Sequence, residues 1–230
     1  MAVYACADLH GRYDLYEKIK AFIKSEDTVY FLGDANDRGP DGWKLIKAIY
    51  NDPQFEYLKG NHEDMLVRAA FEYYDLGSDI SYGSHYRDLC SNGGGCTFED
   101  MIHDPEGEEW IDRIRRLPTI AQYESKATGL RFIMTHAGFS PNHDIDDILW
   151  DRSHFYDPWP RDGFDNDIIV HGHTPIPLMD EIVLDAWGYD ETPGAFWYCD
   201  NHKVNIDVGA VWNDFVVLLN LDSLDEEIIY

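Results

Sequence analysis

Apolar and polar positions alternate in a regular order through the first 60 residues. Val3 to Ala7 is a short continuous apolar run, which predicts a buried strand. Tyr13 to Lys24 sets Leu15, Ile19, Phe22 and Ile23 at helical spacing, and Thr28 to Leu32 is a second apolar run. Asp41 to Tyr50 predicts a helix with Trp43, Ile46, Ile49 and Tyr50 inward, and Phe55 to Leu58 a third strand. Strand, helix, strand, helix, strand implies a parallel sheet with crossover helices. Each strand runs into a cluster of polar residues and glycines, at the end where open α/β sheets hold ligands.

The pattern then changes. His62 to about Leu76 is helical, residues 77–97 read as irregular and glycine-rich, and Glu108 to Leu117 is a charged helix stopped by Pro118. Residues 65–118 therefore read as a mostly helical insertion leaning over the sheet edge. Beyond it the chain is β-rich. Arg131 to Thr135 and Asp167 to Val170 predict strands, and Tyr198, Val204 to Val208 and Phe215 to Leu221 predict closing strands. Without repeats, low-complexity tracts or linkers, residues 1–230 read as a single domain.

Hydrophobic residues at 44% and aromatics at 14% allow a sizeable core without disulfides. Eighteen basic against 44 acidic side chains give a net charge of −26. Such a chain repels nucleic acid and anionic membrane surfaces, so neither is expected as a partner. An anionic substrate would have to be attracted locally, by bound metals and arginines. Cys6, Cys90, Cys96 and Cys199 form no Cys-x-x-Cys pair, which argues against a zinc knuckle or a thioredoxin-like site. They read as reduced thiols of a cytoplasmic protein, with a Cys90–Cys96 disulfide left open by spacing. The N-terminus lacks a secretory pattern, and no run approaches membrane-spanning length.

Five stretches carry the chemistry: Asp8-Leu9-His10-Gly11, Gly33-Asp34-Ala35-Asn36-Asp37-Arg38-Gly39, Gly60-Asn61-His62-Glu63, Thr135-His136-Ala137-Gly138 and His171-Gly172-His173-Thr174. They supply the oxygen and nitrogen donors that suit divalent manganese, iron or zinc. Pleat geometry would send Asp8 and His10 to one side of a strand end. Asp34 is placed to bridge two ions, with Asn61, His136 and His173 completing the set. Two ions about 3.5–4 Å apart can hold a hydroxide between them and clamp a phosphoryl group. His62 is the candidate general acid, Asp37 its orienting partner, and Arg38 a fork for phosphate oxygens.

A lone Asp or His in a loop is usually a surface residue, but six in ordered motifs reverse that weighting. His171 reads either as a neighbour of the metals or as a solvent-facing strand end. His85 either lines the cleft or sits on the surface. His103, His143, His154 and His202 read as ordinary surface residues, and Asp144 to Asp147 as a solvated face.

These motifs make the chain similar to the metal-dependent serine/threonine phosphoprotein phosphatase family, in its compact bacterial and bacteriophage (lambda-type) branch. Asn92-Gly93-Gly94-Gly95 resembles that branch's glycine loop, and Leu149-Trp150-Asp151-Arg152 its Trp-x-Arg segment. Ile206-Asp207-Val208-Gly209-Ala210-Val211 resembles its C-terminal strand and turn. The resemblance implies a calcineurin-like metallophosphoesterase fold of the α/β class, with two packed mixed β-sheets flanked by helices. It assigns Asp8, His10 and Asp34 to one metal, and Asp34, Asn61, His136 and His173 to the other. His62 and Asp37 take the proton-donor role, and Arg38 and Arg152 contact phosphate. The implied cofactor is a pair of divalent ions, manganese first, with iron or zinc as alternatives.

Two positions depart from the family. Lys59 stands where an arginine is usual, keeping a substrate-binding charge but losing the bidentate fork. Asn36 is polar where an apolar residue is usual. The expected activity is hydrolysis of phosphoserine or phosphothreonine on a protein or peptide. The alternative is symmetrical hydrolysis of a dinucleoside tetraphosphate on the same metal site. A scaffold that had lost its chemistry would lack ligands or the proton donor, and all are present here. No regulatory subunit is implied.

Overall fold

Strand β1 (Val3–Cys6) is buried on both faces, with Val3 and Ala5 turned one way and Tyr4 and Cys6 the other. The computed structural model describes residues 1–139, 144–157, 159, 164–189 and 192–230. Helix α1 (Tyr13–Phe22) crosses to β2 (Thr28–Phe31), and α2 (Gly42–Asn51) crosses to β3 (Phe55–Tyr57). All three strands are parallel. Four helices follow: α3 (Asn61–Leu76), α4 (Ser84–Ser91), α5 (Gly95–His103) and α6 (Gly107–Arg115).

The remainder builds a second sheet and completes the first. It contains β4 (Ile120–Glu124), β5 (Arg131–Thr135), α7 (Ile145–Trp150), β6 (Asp167–His171) and α8 (Glu181–Ala186). Then come β7 (Phe196–Tyr198), β8 (Lys203–Asn205), α9 (Ala210–Asn213), β9 (Val216–Asn220) and β10 (Glu226–Ile229). The first sheet runs β10-β9-β1-β2-β3 and the second β4-β5-β6-β8-β7. Both mix parallel and antiparallel pairs; β9 returns antiparallel beside β1, with Tyr4 opposite Asn220.

Alternation sorts side chains into layers. Phe132, Met134, Ile168 and Val170 face Val3, Ala5, Leu219 and Leu221 between the sheets. Tyr4, Cys6, Phe31 and Leu218 face helices α1 to α6. Ile133, Ile169, Phe196 and Tyr198 face outward beneath Phe155 and Trp159. This is the expected architecture of two mixed sheets flanked by helices.

Residues 77–97 depart from the irregular reading. A 3₁₀ turn at Gly77–Tyr82, α4 and the start of α5 occupy most of them. Burial of Leu89 and Phe98, with Tyr86 packed 4.9 Å from the Phe98 ring, overrides the local glycine signal. Strands β4 and β10 had no clear signal, since both are half-exposed edge strands without clean alternation. All four cysteines are free, so the Cys90–Cys96 bridge is not formed. Among the described residues no helix is long and apolar enough to cross a membrane. His143 lies outside the described residues.

Phe132 is fully buried between the sheets. Phe132→Ala is expected to cost about 3–5 kcal/mol of unfolding free energy, read from a shifted denaturant midpoint. A loss well under that range would mean the sheets close over the cavity.

Candidate metal centre

The loops after β1 and β2 lie side by side beyond the strand ends. Asp8 N–H donates to Gly33 O at 3.1 Å, His10 N–H to Asp34 O at 2.9 Å and Gly11 N–H to Ala35 O at 2.7 Å. This ladder fixes Asp8 and His10 against Asp34. The pleat argument does not explain their direction, because β1 ends at Cys6. Left-handed backbone does: φ is 55° at Asp8, 43° at His10, 60° at Asp34, 69° at Asp37, 63° at Arg38 and 67° at His173. Non-glycine residues seldom adopt that conformation, and it gathers at sites where the surroundings over-determine the chain.

Glu63 locks the second and third loops together. Its carboxylate accepts from Asp34 N at 2.9 Å, Ala35 N at 2.8 Å, Gly60 N at 2.7 Å and the Tyr57 hydroxyl at 2.7 Å. Burial and nearby Asp34 push its pKa up to about 7 against the pull of these donors. Sequence reading gave Glu63 no role, although its place after His62 in the third motif was the available signal.

The six expected ligands come together, all buried. Ligand atoms of Asp8, Asp34 and His136 lie within 4.8 Å of one another, and so do those of His10, Asp34 and His62. Asp34 belongs to both groups, as a bridging carboxylate would. His136 Nδ1 is 2.8 Å from Leu32 O and His10 Nδ1 is 2.9 Å from Asn36 O. Donation to those carbonyls turns both Nε2 lone pairs inward, the arrangement that orients metal-binding imidazoles. His136 Nε2 then stands 2.8 Å, and His173 Nδ1 3.0 Å, from Asn61 Oδ1. His136 Nε2 thus brings a lone pair to Asn61 Oδ1 with His173 Nδ1 beside it, a donor set that suits a cation.

The electrostatics agree. Burial, then Asp207 and Asp34, raise the Asp8 pKa well above the carboxylate range. Burial and Asp34 push Asp207 up to about 7, and its Oδ2 is buried without a partner. Burial raises the cost of charging Asp34, and the imidazoles of His136, His62 and His10 lower its pKa only as far as they carry charge. With His136 and His10 kept neutral by burial, that pull falls to His62 and its backbone N–H. Burial keeps His10, His136 and His173 in the neutral form that ligates. Crowded buried carboxylates beside neutral imidazoles fit divalent ions. The Arg38 guanidinium supplies the local positive charge, 2.7 Å from His10 Nε2 and 3.1 Å from His62 Nε2.

His62 Nδ1 meets Asp37 Oδ2 at 2.7 Å. Burial opposes charge on His62, but Asp34 and Asp37 prevail and raise its pKa. Asn36 explains its own polarity here: its amide donates to Asp37 Oδ1 at 2.8 Å and to His62 O at 3.2 Å. The Gly93 carbonyl accepts the Arg38 N–H at 3.1 Å, so the glycine loop props the residue expected to contact phosphate. Arg152 is exposed, and its charge acts on His173 and Asp207.

Lys59 is not among the gathered groups. Its ammonium donates to Arg115 O at 2.7 Å, capping the end of α6. His154 was expected on the surface and is instead buried. Tyr198 explains it, reaching His154 Nδ1 at 3.0 Å and His171 Nε2 at 2.8 Å. His171 is thereby an inward residue one position from the loop that presents His173.

A family model described as calcineurin-like phosphoesterase matches residues 1–208. The chain belongs to the calcineurin-like phosphoesterase family. Members use a dinuclear divalent metal site, and the clustered donors above are the candidate ligands. Among curated relatives, the symmetrical bis(5'-nucleosyl)-tetraphosphatase of Delftia acidovorans is 28% identical over 153 residues, covering 65% of this chain and 48% of the relative. The protein of the same name from Pasteurella multocida is 29% identical over 63% of this chain and 47% of its own length. The matched region thus spans about half the length of these relatives. Among solved structures, one provisionally named a diadenosine tetraphosphatase aligns with TM-score 0.60 at 15% identity, covering 99% of this phosphoesterase and 92% of that chain. A serine/threonine phosphatase from Saccharomyces cerevisiae aligns with TM-score 0.51 at 14% identity, covering 99% and 78%. At such identities these two likenesses concern the fold alone.

A methyl group on Gly172 would fall 2.0 Å from Asp8 Oδ2. Gly172→Ala is expected to weaken manganese binding by about 10–100-fold while the far-ultraviolet circular dichroism stays native; unchanged titration would remove Asp8 from the ligand set. Glu63→Gln should lower stability by about 1–3 kcal/mol, because its amide would face backbone donors, and a neutral result would deny the brace.

Proposed function

We propose that this phosphoesterase hydrolyses the central phosphoanhydride of a dinucleoside tetraphosphate, releasing two nucleoside diphosphates. One observation carries the substrate choice: the curated relatives matched over about two thirds of this chain are named symmetrical tetraphosphatases. This reverses the order expected from the motifs, where a phosphoprotein came first. Motifs around the metals report the bond cleaved, and both substrates present a phosphoryl group to them.

Asp8, His10 and Asp34 would hold one ion, and Asp34, Asn61, His136 and His173 the other. When bound, the ions activate water and neutralise charge on the reacting phosphoryl group. Arg38 and Arg152 would grip non-bridging oxygens. Lys59 has no part in this reading, since it caps α6. Arg38 now donates to both His10 and His62 Nε2. Turning toward phosphate, it would free His10 to ligate and let His62 Nε2 carry a proton. His62, held by Asp37 at 2.7 Å, then gives that proton to the departing oxygen. Asp37 keeps the ring oriented and favours its charged state.

Chelation should abolish activity and manganese should restore it. The deciding assay pairs diadenosine tetraphosphate with a phosphoserine or phosphothreonine peptide. A nucleotide kcat/KM higher by about tenfold, about 1.4 kcal/mol, with adenosine diphosphate as the product, supports the proposal. The reverse ratio returns the phosphoprotein reading, and equal rates would leave neither specificity.

On test monoesters, His62→Asn should depress turnover far more for alkyl phosphates, whose alkoxide needs a proton, than for p-nitrophenyl phosphate. The tetraphosphate, whose departing nucleoside diphosphate is a much weaker base than an alkoxide, should lie nearer the second. Equal losses would count against His62 as the acid. Asp37→Asn removes a group that raises the His62 pKa, so the alkaline limb of the pH–rate profile should move to lower pH. An unmoved limb would assign that limb to another group.

A further inference from the structure

A pocket of about 260 Å³ opens beside the metal centre, between the helical insertion and α7, lined by Met65, Arg68, His85, Asp88, Asn92 and Trp150. We propose that it receives the adenine base of the nucleotide substrate; this rests on the hydrolase reading above and adds where the nucleoside is recognised.

Position comes first. The Trp150 indole meets the His173 ring edge-on, centroids 6.1 Å apart. Asn92 precedes Gly93, whose carbonyl takes the Arg38 N–H at 3.1 Å. One wall therefore touches an expected metal ligand, and the other adjoins the support of the phosphate fork. A base held there has its phosphates directed at the metal centre. The volume lies below the roughly 300–1,000 Å³ usual for drug-sized ligands, so it suits one base and not a whole nucleotide.

The lining chemistry selects the occupant. Trp150 and Met65 offer an aromatic face and a polarisable sulfur, which favour a flat heteroaromatic ring. Arg68 Nε pairs with Asp64 at 2.6 Å, which compensates its charge and leaves its plane available for stacking. The Asn92 side-chain nitrogen donates to Asp88 O at 2.9 Å, leaving its side-chain oxygen as an acceptor. With the Asp88 carboxylate, the polar edge is rich in acceptors. Such an edge repels a further phosphate or an acidic peptide residue and accepts from an exocyclic amine. Adenine carries that amine, whereas hypoxanthine presents a carbonyl in its place.

The test is calorimetric titration of adenosine, which has no phosphate for the metals to hold, into manganese-loaded protein. Saturable binding is expected, weakened at least tenfold by Trp150→Leu and with inosine bound more weakly than adenosine. Asp88→Asn, a change at an exposed position, should narrow the adenosine–inosine difference by severalfold even if Trp150→Leu fails to fold. Absence of saturable binding, or binding and preference unmoved by Asp88→Asn, overturns the pocket. Diadenosine tetraphosphate turnover separates the two claims. Turnover with KM indifferent to Asp88→Asn overturns the pocket and leaves the hydrolase reading. Adenosine binding as described, without tetraphosphate turnover, overturns that reading and leaves a nucleoside site.

Discussion

One buried carboxylate organises this molecule. Asp34 accepts the His62 N–H at 3.0 Å and faces imidazoles of His10, His62 and His136 at 3.4–3.8 Å. Asp34, His10 and His62 follow strands of the first sheet, whereas His136 follows β5 of the second. The two sheets thus meet at the point where the expected bridging carboxylate stands. The apolar layer between them aligns their strand ends, and the loops beyond those ends supply the donors.

Holding such a site requires unfavourable backbone. Six of its side chains leave left-handed residues, each of which would relax if its neighbours allowed. The neighbours do not. The ladder between the first two loops and the four donors on Glu63 fix the peptide groups. Gly39 completes the fit, since a methyl group there would fall 2.2 Å from the His10 carbonyl.

The ordered motifs were legible because each candidate metal-binding loop keeps its donors close together in sequence, after a clearly apolar strand. Strands β1 to β3, β5 and β6 and helices α1 and α2 were legible for the same reason. Other features depend on partners far along the chain. Nothing near Glu63 says that four donors converge on it, and nothing near His154 says that Tyr198 will bury it. Asn36 became interpretable only once Asp37 and the His62 carbonyl stood beside it. Lys59 read as a phosphate contact because the resembled family has an arginine at that position, yet its partner is the end of α6. The glycines at 93–95 suggested an irregular stretch over 77–97, whereas the packing of Leu89 and Phe98 makes most of that region helical. The substrate was least legible, because the motifs encode a reaction and the walls around them encode what reaches it.

The placement of β1 between β2 and β9 has a consequence for how the protein comes into being. The first strand is completed by nearly the last, Tyr4 pairing with Asn220, and the donors span Asp8 to His173. Such non-local pairing folds slowly, because loop closure precedes its reward. During synthesis the early carboxylates and imidazoles therefore emerge long before β9 can cover them. The candidate metal centre is a late product of folding, and the nascent chain must stay soluble on its strong negative charge until β9 docks.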